Sequence, residues 1–98
     1  MEIIRMAAAG TMESSDIIVR IEPREEKGIE IHLTSSVMQQ FGRKIEQAIR
    51  ETLAELGVES AYVEAVDKGA LDCTVKARTA AAAHRAADNT EYNWRTAK

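Results

Sequence analysis

Two short stretches of the chain alternate between apolar and polar positions: Ile17, Val19 and Ile21 with Arg20 and Glu22, then Ile29, Ile31 and Leu33 with Glu30, His32 and Thr34. A period of two predicts two half-buried strands. Between them Pro23 to Gly28, PREEKG, holds a proline, four charges and a glycine. That composition predicts a solvated loop closing an antiparallel hairpin. From Val37 the spacing becomes helical, with Val37, Phe41, Ile45, Ile49, Leu53 and Leu56 on one face and charged residues elsewhere, so a helix is predicted over residues 36 to 56. Ser36 with Gln39 fits a capping box, and Gly57 stands where a left-handed C-terminal cap is wanted.

The second half repeats the pattern. Tyr62 to Val66 reads as a strand, Asp67 to Gly69 as a turn, and Leu71, Cys73 and Val75 alternate with Asp72, Thr74 and Lys76, which predicts a second hairpin. After Arg78 an alanine-rich segment runs through Ala87; helix propensity is high, but a face of methyl groups buries little apolar area, so this is the weaker helix. Strand, strand, helix, taken twice, predicts one α+β domain, ββαββα-like, with an antiparallel sheet and two helices packed on one face. Met1 to Gly10 reads as an extra edge strand or an arm, and Asn89 to Lys98 as a frayed tail.

Composition narrows the function. With 98 residues, 45% hydrophobic and 4% aromatic, the core is built from aliphatic residues and alanine rather than rings. One cysteine, Cys73, makes no internal disulfide, and the N-terminus lacks the features of a signal peptide, so a cytoplasmic protein is expected. No apolar run approaches the roughly 20 residues that span a bilayer. A net charge of −3 without a basic cluster argues against nucleic acid and membrane surfaces, leaving proteins as partners.

Self-contained catalysis is not expected. His32 on the polar side of a strand and His84 on a helix read as ordinary solvated or packing residues, and no metal-ligand spacing is present. Cys73, alternating with Leu71 and Val75, is expected to face the core. Glu13 and Asp16 flank the pair Ser14 and Ser15 without a third group to orient them, and no nucleophile elbow or phosphate-cradling glycine loop occurs. Taken alone, the two serines read as turn residues bonding nearby amides.

Two motifs far apart in the chain, GTMESSD (Gly10 to Asp16) and DKGALDC (Asp67 to Cys73), add a resemblance that extends over nearly all 98 residues. Together they resemble the acyl carrier (gamma) subunit of bacterial citrate lyase. Met12 departs mildly from the aliphatic residue expected there. Ordinary acyl carriers attach through a DSL triplet that opens a helix in an all-helical bundle; here the serines precede the acid and a strand, so the four-helix carrier fold is not expected. The resemblance implies that residues 1–98 form an acyl carrier domain, that the chain is not itself an enzyme, and that Ser14 carries 2'-(5''-phosphoribosyl)-3'-dephospho-CoA through a phosphodiester. It further implies that the thiol of this group bears the acetyl or citryl thioester while citrate is cleaved to oxaloacetate and acetate. The implied partners are an alpha subunit (acyl transferase), a beta subunit (citryl lyase), a prosthetic-group transferase and an acetylating ligase. Glu13 and Asp16 are candidate docking residues, and no metal is held by this chain. Ser15 offers an adjacent hydroxyl, and Ser14 is preferred by register with the family. The alternatives are the carrier subunit of malonate decarboxylase and a plain protein-interaction domain.

Overall fold

Six elements follow one another in the computed structural model, which describes residues 1–87: β1 (Ala7–Gly10), β2 (Ile17–Glu22), β3 (Gly28–Ser35), α1 (Met38–Glu55), β4 (Ser60–Asp67) and α2 (Asp72–Ala86). The tail expected to fray lies outside the described residues. β1 pairs with β2, so Ala7–Gly10 forms an edge of the sheet.

The architecture is α+β, a four-stranded sheet in the order β1-β2-β4-β3. It is mixed rather than antiparallel. β1–β2 and β2–β4 are antiparallel, but β3 runs parallel to β4, with Ile31 opposite Val63 and Ser35 opposite Asp67. The hairpin expected between β2 and β3 is therefore corrected: the chain does turn back through Pro23–Lys27, but it leaves a gap one strand wide, and β4 fills it. Arg24 holds the wide loop by donating to the carbonyls of Glu26 (3.3 Å) and Lys27 (2.9 Å). A strand followed by a long helix returns naturally in the parallel sense, which is what β3, α1 and β4 do.

The second expected hairpin is also corrected. Residues 72–76 open α2 instead of forming a strand, because Val75, Thr79, Ala82, Ala83 and Ala86 make a buried stripe at helical spacing that begins at Val75, ahead of the alanine run. Gly69 supplies the left-handed turn, φ 91°, and Asp72 sits in the first helical turn, where a negative charge is favoured. Cys73 consequently is exposed on the helix and not in the core.

Both helices cover the same sheet face. Ile45, Ala48, Ile49 and Leu53 of α1 share one core with Val19, Ile21, Val63 and Ala65 of the sheet and with the buried alanines of α2, whose small side chains let that helix lie close. Phe41, expected on the buried face, stays 46% exposed near the start of α1. The expected capping box is absent too: Val37 is the cap residue, and the Ser35 hydroxyl accepts its amide at 3.0 Å. Gly57 closes α1 with φ 74° as its position suggested. The opposite sheet face is open to solvent and carries Arg20, Glu64, Glu30 and His32, the last bonded to Glu30 at 2.7 Å.

Candidate attachment site

β2 begins, and β3 and β4 end, at the same end of the sheet. The β1–β2 loop, the start of α1 and the β4–α2 turn therefore cluster there, and the two motifs found far apart in sequence meet. The Ser15 amide donates to the Lys68 carbonyl and the Lys68 amide to the Asp16 carbonyl, both at 2.8 Å, which extends the β2–β4 ladder past its last paired residues, Ile17 and Asp67.

Residues 11–16 form the loop. Gly10 enters it with φ 103°, and a Cβ there would run into the Ile17 carbonyl, so glycine is required. Ser15 adopts φ 67°, a left-handed conformation that costs a non-glycine residue about 1 kcal/mol or more. The carboxylate of Asp16 offsets that cost. It accepts from the Thr11 hydroxyl (2.7 Å), the Ile17 amide (2.7 Å) and both Nε (3.1 Å) and Nη2 (2.9 Å) of Arg78 on α2. The Arg78 guanidinium, above all, with the Thr11 hydroxyl and Ile17 amide, holds the Asp16 carboxyl well below the usual carboxylate range.

A second acid braces the neighbouring segments. Asp67, 1% exposed, accepts from the Ser35 hydroxyl (2.8 Å) and from the amides of Gly69 and Ala70 (both 3.0 Å). It thereby ties the start of α1 to the turn that leads into α2.

Ser14 stands at the tip of this braced loop, exposed, and its hydroxyl makes no hydrogen bond among the described residues. Glu13 is exposed and its carboxylate makes no ion pair among the described residues, whereas Asp16 is held by Arg78. The two candidate docking acids are thus unlike: one is free to face a partner, the other is part of the scaffold. The sequence offered no signal for Arg78, which is 62 residues from Asp16, and read Asp67 only as a turn residue. Met12, Met38, Phe41 and Leu71 are exposed at the same end. Among the described residues no group of three or more His, Cys, Asp and Glu is placed to hold a metal ion, and no helix is long and apolar enough to cross a membrane. His84 carries a buried Nδ1 without a partner, while His32 is exposed.

A small α+β domain that presents a free hydroxyl on a fixed loop has the makings of a carrier, a protein whose surface is worked on by others. Comparison with known proteins gives the class a family. The family model described as the malonate decarboxylase delta subunit, an acyl carrier, matches residues 4–86. The citrate lyase acyl carrier protein of Streptococcus equi subsp. equi is 58% identical over 95 residues, 97% of this chain and 93% of that one. Citrate lyase acyl carrier protein 2 of Salmonella typhimurium is 58% identical over 94 residues, covering 96% and 97%. The chain belongs to the citrate lyase acyl carrier protein family, and its role is that of an acyl carrier.

Among solved structures, a chain of a Pseudomonas malonate decarboxylase hetero-tetramer in complex with malonate matches with a TM-score of 0.71 at 22% identity, covering 83% of this chain and 82% of that one. At that identity the likeness establishes the fold. Homoserine kinase from Cytophaga hutchinsonii shares the fold over 35% of its length, with a TM-score of 0.58 and 14% identity, so the fold by itself does not carry the function.

Proposed function

We propose that the chain is the acyl carrier subunit of a cytoplasmic citrate lyase, and that Ser14 carries 2'-(5''-phosphoribosyl)-3'-dephospho-CoA through a phosphodiester. The observation that carries the reading is the Ser14 hydroxyl, exposed and unbonded at the tip of a loop whose backbone is otherwise fixed. Such a hydroxyl fits a covalently attached group: a loading enzyme can reach it without unfolding the chain, and a bulky product meets no core residue. When bound, the group supplies a thiol on a long arm that can bear an acyl group as a thioester.

What the chain's own residues do is present and hold. Asp16, Arg78 and Asp67 fix the anchor, Glu13 offers a negative charge beside it, and Met12, Met38, Phe41 and Leu71 give a partner protein apolar surface to cover. Chemistry falls to the partners: an alpha subunit that transfers the acyl group, a beta subunit that cleaves, and separate enzymes that load and acetylate the arm. The tether replaces diffusion by a high local concentration at each active site. The malonate decarboxylase carrier is the second reading, favoured by the description of the matching family model and by the solved hetero-tetramer. Identity of 58% to citrate lyase carriers against 22% to the decarboxylase chain supports the first.

The test is the variant Ser14→Ala. It should fold as the parent does, gain no mass when incubated with the loading transferase and its donor, and yield a citrate lyase complex without turnover. Ser15→Ala should still gain the full mass of the adduct. A loaded Ser14→Ala chain would reject the site.

A further inference from the structure

Residues 11–16 make a longer connection than a tight hairpin needs, and two of its features leave it short of side-chain support. Ser15 is left-handed, and the side chains of Ser14 and Glu13 contribute no hydrogen bond to the loop. Backbone bonds hold part of it, from the Ser15 amide to the Lys68 carbonyl and from the Asp16 amide to the Glu13 carbonyl, and the side-chain brace is one carboxylate, Asp16, on which a hydroxyl, an amide and both prongs of an arginine from α2 converge. As an ordinary ion pair this arrangement would matter little, because Arg78 is 39% exposed and partly exposed pairs contribute little to global stability. Its value lies in where it is: one residue from Ser15 and two from Ser14.

We infer that the Asp16–Arg78 pair is a positioning device for Ser14, holding the loop in the arrangement that the loading enzyme accepts. This rests on Ser14 being the attachment residue. If the unbraced loop visits several arrangements and only a fraction is competent, the apparent affinity of the enzyme for the carrier falls by that fraction, while turnover of the bound complex is unchanged. The loss then appears in KM and not in kcat. A merely structural pair predicts no such split.

Arg78→Lys is the measuring variant, since it keeps the charge and loses the two-pronged donation. Loading of the full-length apo chain by the prosthetic-group transferase, with its CoA-derived donor, should show KM for the carrier raised about tenfold and kcat within about twofold of the parent. Amide hydrogen exchange in the apo chain should speed up about tenfold at Ser15 and Lys68, while Val63 and Ala65 in the middle of β4 keep their rates. Thr11→Ala removes one bond to Asp16 and leaves the ion pair, so it should shift KM and Ser15 exchange in the same direction by less. Unchanged exchange at Ser15, unchanged KM despite faster exchange, or a loss confined to kcat would each overturn the positioning role. Loading of Ser14→Ala would sink the attachment reading instead, and the two failures are told apart because Ser15 exchange does not depend on which hydroxyl is used.

Discussion

Replacing Asp67 by alanine should cost the fold about 3 kcal/mol, far more than an ordinary loop residue. The residue is 1% exposed, and truncation leaves three donors without their acceptor: the Ser35 hydroxyl at 2.8 Å and the Gly69 and Ala70 amides at 3.0 Å. A net hydrogen bond contributes about 1 kcal/mol, and a donor stranded away from water costs about 1 to 3 kcal/mol. Gly69 is exposed, so water can take over its amide and the high end of that range does not apply there. About 1 kcal/mol for each donor gives about 3 kcal/mol, a large share of the roughly 5 to 15 kcal/mol that holds a domain together. For a domain of this size the melting temperature should fall by about 12 to 24 °C. Asp67→Asn keeps one acceptor oxygen and should lose about half as much. Urea unfolding followed by far-UV circular dichroism at neutral pH measures both. A loss under about 1 kcal/mol for alanine, or equal losses for alanine and asparagine, would refute the view that this carboxyl group ties the start of α1 to the turn before α2.

Two further outcomes follow from the same structure. Leu53, fully buried on α1, should lose about 2 to 5 kcal/mol on truncation to alanine, and the exposed Glu51→Ala under roughly 0.5 kcal/mol; equal small effects would mean the buried face of α1 is misassigned. Acid should weaken the Asp16 brace in a defined direction: the folded chain holds this carboxyl ionised below its ordinary value of 3.8, so its contribution to stability is present above that value and is lost as pH falls towards the lower folded value. The difference in amide-exchange protection at Ser15 between the parent and Asp16→Asn should therefore narrow between pH 6 and pH 3, and a constant difference would reject the charge as its cause.

Periodicity carried much of this fold because it reports burial, and burial is local. Ile17, Val19 and Ile21 in β2, and Ile45, Ile49 and Leu53 in α1, alternate or recur as their faces demand, and all are in the core. What the pattern could not carry was partnership. Nothing in Ile29, Ile31 and Leu33 says that their neighbour is a later strand and not the preceding one, so the parallel β3–β4 pair was invisible. Leu71, Cys73 and Val75 show a six-residue alternation that a strand and the first turns of a helix can both satisfy, and only Val75 is buried. Ser36 with Gln39 has the local spacing of a cap, yet Val37 is the cap residue, and its amide bonds the Ser35 hydroxyl, which Asp67, 32 residues away, fixes. Resemblance singled out the loop now proposed for attachment but said nothing of its bracing, since an acid beside two serines looks the same whether or not an arginine waits 62 residues further on.

The two acids divide the structural work at this end of the molecule. Asp67 joins the start of α1 to the turn before α2, both parts of the frame, and so belongs to global stability. Asp16 joins the display loop to α2, and so belongs to local order. A tethered group gains its advantage from effective concentration, which depends on the reach of the arm from a fixed origin. A wandering origin would spread the thiol over more volume without lengthening the arm, and would also lower the fraction of carriers that a loading enzyme can engage. With attachment at Ser14 as proposed, flexibility would lie in the arm and order in its anchor, which separates those two requirements. α2 is packed through small side chains, Val75, Thr79, Ala82, Ala83 and Ala86, and it brings Arg78 to the Asp16 carboxylate at the end of the sheet where the loop lies.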